Sequence, residues 1–276
     1  MADSGMLALL HALVGIGPHL LLEALCAVWA GTPRSLTADV ARVMVLFQPP
    51  PRVVNLHLVP VHGPFVLVAN HYQVQGLWIG WVVAAITNAL AGVRAGDERD
   101  LRWAILSEPR LFELAGHWVP NPLASALFLR ASQVWGMIPI PARPANVAGR
   151  ARAAMQILSA LGCRPQADHA RPVPVGIFPE GKATTSLEEP RPGVGAFLHR
   201  ISSRGVCLLP VGVFQEDGTL VIRFGEPFRL EDSSTRAEED LDTWAGREVM
   251  IAIGRLLPPR LWGAHADVLR ERQVQQ

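Results

Sequence analysis

The chain is poor in several residue types, and each shortage narrows what it can be. Among 276 residues there is one lysine, Lys182, and one tyrosine, Tyr72. Cysteine is confined to Cys26, Cys163 and Cys207, far apart, odd in number and without a Cys-x-x-Cys pair. That spacing speaks against a disulfide framework and against a cysteine-built zinc site. It fits a reducing compartment. The Met-Ala-Asp-Ser-Gly start lacks the basic region of a secretory signal, so a cytoplasmic location is expected. Charge is scarce too: 18% of residues are charged, against roughly 25% in an average soluble domain. A net charge of +1 gives no electrostatic case for nucleic acid. The chain contains no His-Glu-x-x-His, no Gly-x-Ser-x-Gly, no Gly-x-Gly-x-x-Gly and no P-loop. A metalloprotease, a hydrolase built on a nucleophile elbow and a nucleotide-cofactor enzyme are therefore not indicated, and no metal or cofactor is expected.

Apolar residues are abundant, at 50%, with a mean hydropathy of +0.24. Such a chain has apolar surface to hide, in a membrane or against a partner. The most apolar stretch, Met6 to Trp29, is interrupted by Gly15, Gly17 and Pro18. Each half is shorter than the roughly 20 residues that cross a bilayer. It reads as two short helices, lying in a membrane interface or covering the apolar face of the main domain. Residues 1–45 form this amino-terminal region, and residues 46–276 form one α/β domain.

Within that domain, strands and helices alternate. Strands are expected over Val53–Val59, Phe65–Ala69, Trp103–Ser107, Gly136–Pro141, Pro174–Phe178, Val206–Phe214 and Val221–Gly225. Helices are expected over Leu77–Val93, most of Leu111–Ser132, Ala148–Leu161, Gly195–Ser203 and about Ser234–Leu257. This order predicts a mostly parallel central sheet with helices on both faces, plus the amino-terminal apolar helix pair.

In such sheets, ligands sit at the carboxyl ends of the strands. Two strands here end in polar groups. Phe65-Val-Leu-Val-Ala69 stops at Asn70-His71, and Pro174-Val-Gly-Ile-Phe178 stops at Pro179-Glu180-Gly181-Lys182. A histidine so placed can act as general base on a hydroxyl; alternatively it is a strand-end residue bonded to a backbone carbonyl. Glu180 lines the same edge or caps the segment that follows. Tyr72 and Gln75 flank the histidine and could hydrogen-bond an acceptor.

The order of these segments resembles the phospholipid/glycerol acyltransferase family, which includes the lysophosphatidic acid acyltransferases. Asn70-His71 is similar to the family's first block. Gly136-Met-Ile-Pro-Ile with Arg143 is similar to its second, Phe178-Pro-Glu-Gly181 to its third, and Leu209-Pro210-Val-Gly-Val213 to its fourth. Arg191-Pro-Gly-Val-Gly-Ala-Phe-Leu198 resembles the family's basic-Gly start of a helix. The resemblance spans roughly Val53 to Gly225.

It implies transfer of a fatty acyl group from an acyl-CoA or acyl-carrier-protein thioester to a hydroxyl of a glycerolipid or other lipid-like acceptor. The expected place of action is a membrane surface, with the protein peripherally bound. His71 would be the base and Glu180 a second catalytic group. Asn70, Tyr72, Gln75, Arg143, Gly181, Lys182 and Arg191 would bind substrate.

Three departures stand out. The family's Asp, five residues after the His, is Gly76 here. The third block's Thr-Arg is Lys182-Ala183. Arg143 lies one residue out of register. Two readings follow. In one, Glu180 or a backbone carbonyl orients His71, and the altered phosphate-binding positions leave room for an acceptor without a phosphate. In the other, the fold persists as a catalytically silent lipid-binding protein.

Overall fold

A computed structural model describes residues 18–94, 101–107, 113–114, 117–118, 122–141, 146–164, 171–230 and 240–274. The first half of the expected amino-terminal helix pair, Arg143, and the first turns expected for the last long helix lie outside them.

In chain order the helices are α1 (Pro18–Ala30), α2 (Leu36–Met44), α3 (Ile79–Val93), α4 (Pro122–Val134), α5 (Val147–Ala160), α6 (Val194–Ser202), α7 (Leu241–Gly254) and α8 (Ala266–Val274). The strands are β1 (Arg52–Val54), β2 (Phe65–Ala69), β3 (Arg102–Leu106), β4 (Glu113–Leu114), β5 (His117–Trp118), β6 (Ile138–Ile140), β7 (Val175–Ile177), β8 (Cys207–Glu216) and β9 (Thr219–Phe224). Seven strands form one sheet in the order β1-β9-β8-β2-β7-β3-β6, while β4 and β5 pair separately. Every ladder of the main sheet is parallel except β8 with β9. That hairpin turns at Asp217-Gly218, both at positive φ as a two-residue hairpin loop requires.

The sheet is buried on both faces, which explains why its central strands read as unbroken apolar runs. All five residues of β2 are buried. Val66 and Val68 face a cluster with Ile157, Leu198, Ile201, Val249 and Ile253 from α5, α6 and α7. Phe65, Leu67 and Ala69 face the other cluster, with Val40 and Met44 of α2, Val82, Ile86 and Leu90 of α3, and Trp103 of β3. The alternation along β2 thus sends successive side chains to opposite layers. Trp103 donates Nε1 to Thr87 Oγ1 at 3.0 Å, locking α3 onto β3.

Two details depart from the sequence reading. The strand expected over Val53–Val59 ends at Val54, because Asn55 takes a left-handed φ of 59° and the chain turns into a 3₁₀ helix over Leu56–Leu58. The largely helical reading of Leu111–Ser132 holds only from Pro122 onward; β4 and β5 precede it. Helix α2 packs its buried Val40 and Met44 into the main core.

Helix α1 differs from α2. Its Ala27 and Val28 meet Val134 of α4 in a small separate cluster. Arg130 fastens the two helices by donating to the carbonyls of Val28 and Trp29. Their outer side stays apolar and open: Leu22, Leu25, Trp29, Leu123 and Leu127 are all exposed, Trp29 to 89%. A groove of about 650 Å³ lies among Leu25, Cys26, Val28, Trp29, Leu127 and Arg130. Among the described residues, no helix is long and apolar enough to cross a membrane.

Candidate active site

Strands β2 and β7 are parallel neighbours, with Val68 opposite Ile177, so their carboxyl ends deliver Asn70-His71 and Pro179-Glu180 to one edge. The chain beyond β2 is held by side chains acting as extra ladder partners. Asn70, only 3% exposed, donates Nδ2 to Val213 O at 2.8 Å and accepts from Val213 N at 2.8 Å. It therefore extends the β2–β8 pairing with its own amide. Both polar atoms of the Asn70 amide thus serve the backbone.

Glu180 is 1% exposed. Its Oε2 accepts from His71 N at 2.6 Å, and its Oε1 accepts from Thr184 Oγ1 at 3.0 Å and Glu188 N at 2.9 Å. Burial raises its pKa, and the three donors work against that rise. The carboxylate thus grips the main chain of His71, not the imidazole. Its described bonds hold the chain around His71 in place.

Thr184 completes the grip. Its N–H donates to His71 O at 2.9 Å, and its carbonyl accepts from Gln73 N at 2.9 Å, making a parallel bridge with Tyr72. Tyr72 is 7% exposed and belongs to the apolar cluster under α3.

The His71 ring meets Phe178 edge-on at 4.9 Å, and Phe178 stacks on Trp103 at 5.1 Å. His71 as a whole is half-buried. Its Nδ1 is buried and has no hydrogen-bond partner among the described residues. Burial pulls its pKa from the ordinary 6.5 down to about 4, so the ring is neutral at physiological pH.

The residues following His71 turn away from it. Leu77 N donates to Val74 O at 3.0 Å, closing a four-residue turn whose third position, Gly76, has φ +83°. A type II turn asks for glycine there, which gives a local reason for the missing acid. Gln75 is exposed on the same turn.

On the other side of the edge, Gly181 closes a turn by donating N to Phe178 O at 3.0 Å, with φ +58°. A Cβ at Gly181 would lie 2.5 Å from Arg191 Nε, so the arginine lies across the glycine. Lys182 is exposed and its ammonium pairs with Glu188. The structure therefore gathers His71, Glu180, Gly181, Lys182 and Arg191 at one sheet edge and turns Asn70 and Tyr72 inward.

Sequence reasoning missed Thr184, the Glu188 N–H and the Val213 backbone. It also missed Asp242, which caps α6 by accepting from Gly193 N at 2.5 Å and Ala196 N at 2.8 Å. Thr184 had one signal, a polar residue just beyond the Glu-Gly turn. The backbone partners had none, since any residue can supply them.

No family model matches the chain, and no curated protein matches it. Among solved structures, it is similar to the 1-acyl-sn-glycerophosphate (LPA) acyltransferase PlsC from Thermotoga maritima. The identity is 15%, the match covers 87% of this chain and 79% of that one, and the TM-score is 0.46. A likeness of that size says nothing about chemistry.

Proposed function

We propose that the protein is an O-acyltransferase that moves a fatty acyl group from an acyl-CoA or acyl-carrier-protein thioester to a hydroxyl of a lipid-like acceptor. One observation carries this reading. A neutral histidine stands at the carboxyl edge of a parallel sheet, its N–H held by the buried Glu180 carboxylate and its carbonyl by the N–H of Thr184. The order of sequence blocks around it supplies the substrate class.

In this reading His71 accepts the hydroxyl proton as the acceptor oxygen attacks the thioester carbonyl; the thiolate leaves and takes up a proton. A base with a pKa of about 4 is always available at neutral pH but holds its proton weakly. Proton removal must then run together with attack, because the imidazolium has no carboxylate to steady it. Donor and acceptor are the partners, with no cofactor.

The expected workplace is a membrane surface, reached through the exposed apolar side of α1 and α4. Replacing Trp29 and Leu123 by serine should then abolish flotation with lipid vesicles; undiminished flotation would remove the membrane from the proposal.

A second reading has its own support. The unpartnered Nδ1 and the low pKa suit a silent lipid-binding protein of the same fold. The deciding measurement is thiol release from acyl-CoA in the presence of monoacylglycerol, lysophospholipid and polyol acceptors. Wild type should turn over, and His71→Ala should lose about 100-fold or more. Lipid binding without any thiol release would favour the silent protein, and release that survives His71→Ala would remove the base.

A further inference from the structure

We propose that a cleft along α7, on the face of the sheet turned away from the His71 ring, binds an amphipathic anion: one acid group on a single alkyl chain. This second site does not depend on acyl transfer at His71.

The cleft lies between α7, α8 and the segment after β9, and its volume is about 450 Å³. Small-molecule sites ordinarily hold roughly 300–1,000 Å³. Pro210 of β8 lines it, on the same side of the strand as Leu208 and Phe214, by the two-residue alternation of a strand. Those two belong to the cluster with α5, α6 and α7. The His71 ring instead rests on Phe178, which packs against the cluster under α3. The sheet therefore separates the two places.

The walls are fixed before a ligand arrives. Gly225 N donates to Pro210 O at 2.9 Å, and Phe228 exchanges bonds with Leu208 in both directions, at 2.8 and 2.9 Å. Leu230 N donates to Ser202 Oγ at 2.8 Å. Arg223 donates to Leu256 O at 2.9 Å, tying the chain just beyond α7 to β9. A Cβ at Gly225 would lie 2.9 Å from Pro210 Cγ and 3.1 Å from Leu256 Cδ1, so the glycine lets these apolar groups close up. Phe228, Trp244, Ile251 and Leu256 supply apolar contact surface. Walls already in place cost little ordering when a ligand binds.

The polar groups are unbalanced. Three arginines and two glutamates line the cleft. Glu248 holds Arg272 by two bonds, at 2.5 and 2.9 Å, joining α7 to α8. Arg229 and Arg255 are exposed and have no acidic partner among the described residues, and the exposed Glu226 offsets only one of them. One positive charge is thus left over beside an apolar wall. A guanidinium fork matches the oxygens of a carboxylate or a phosphate. A small inorganic anion would leave the wall wet, and a neutral lipid would leave the arginines unused.

Titration calorimetry of the full-length protein with dodecanoate, dodecyl phosphate, dodecanol and acetate, all below micelle concentrations, tests both halves of the ligand. At least one of the two acidic chains should bind about tenfold or more tighter than dodecanol, and the tighter one names the head group, carboxylate or phosphate. Acetate should not bind. Arg255→Gln should weaken the acidic chain about tenfold and leave dodecanol alone. Glu226→Gln should act in the opposite direction, tightening the acidic chain about threefold. Ala252→Phe, which fills the cleft, should remove binding of both. His71→Ala and Arg270→Gln should bind as wild type does, and an unchanged melting temperature checks the fold of each variant. A diazirine-bearing dodecanoate should label residues 225–230 or 244–256.

Equal binding of dodecanol and both acidic chains overturns the proposal. So does full binding by Ala252→Phe, or label confined to the α1–α4 groove or the His71 edge. A protein that binds in the cleft yet never transfers an acyl group loses the acyltransferase reading and keeps this site; acyl transfer without binding in the cleft does the reverse.

Discussion

The main chain of His71 and its ring sit a few ångströms apart in opposite circumstances. The N–H is taken by a buried carboxylate and the C=O by the N–H of Thr184. The ring has an edge contact with Phe178 and a buried Nδ1 with no partner among the described residues. Two segments converge to fix where the residue is: β8 through Asn70–Val213, and the loop after β7 through Glu180 and Thr184, with Glu188 N bracing the carboxylate. Burial sets the imidazole's low pKa of about 4, and no described side chain bonds its Nδ1. Position and reactivity are thus built by separate parts, and only the first is complete. The clamp gives Glu180 a structural task although it does not touch the ring. Burial of the ring explains the depressed pKa.

The sharpest way to break the clamp is Glu180→Ala. Two backbone N–H groups and the Thr184 hydroxyl would lose their acceptor in a buried place, where each orphaned donor costs about 1–3 kcal/mol. A total loss of about 4 kcal/mol is expected in urea unfolding at pH 7. Glu180→Gln should lose less, because its amide oxygen still accepts. A loss under about 1 kcal/mol, within the scatter of surface substitutions, would mean that the clamp is decoration.

The ring's isolation can be read from pH. A histidine whose pKa is lower in the folded state binds fewer protons there than when unfolded. Its contribution to stability is full above about 6.5 and is lost as pH falls toward about 4. The expected loss is about 3 kcal/mol across that window. Glu180 works the other way. Its raised pKa favours the protonated carboxyl in the fold, a contribution present at low pH and lost as pH rises above 4.5. The two partly cancel in wild type, so His71→Asn is the useful reference. The difference between wild type and variant in unfolding free energy should narrow by about that amount from pH 7 to pH 4. A difference independent of pH would mean that the ring is solvated and its burial is without electrostatic effect.

Much of this was readable from the chain, and the unread part has a common cause. The apolar runs of β2, β7 and β8, ended by Asn70-His71, Glu180-Gly181 and the stretch around Val213, placed the edge of the sheet correctly. Strands buried on both faces advertise themselves because every residue must be apolar. The roles of the polar residues did not show. Asn70 and Tyr72 adjoin His71 in sequence, yet both turn inward, because the chain beyond β2 keeps pairing with Val213 and Thr184. Those partners lie more than a hundred residues away and contribute mostly backbone atoms, which carry no residue signature. The swing of Asn55 into a left-handed φ, ending β1 early, is local but equally silent, since asparagine tolerates both conformations.

Gly76 is where the two halves of the comparison meet. Its φ of +83° serves the turn, and the same position carries the acid in the family the sequence resembles. A Cβ built there meets nothing within 4 Å, so Gly76→Asp has room and costs chiefly backbone strain, about 1 kcal/mol. Gly76→Ala measures that strain alone. If the turn can swing a carboxylate onto Nδ1, the His71 pKa should rise by about one unit or more from its value near 4. Gly76→Asn, which has the same shape without the charge, should leave it in place. Titration of the imidazole by NMR reads all three variants, and acyl transfer by Gly76→Asp should increase with the pKa. An unmoved pKa would show that the turn holds residue 76 away from the ring. The isolation of the imidazole would then belong to the path of the backbone after His71, and no single side chain at position 76 could relieve it.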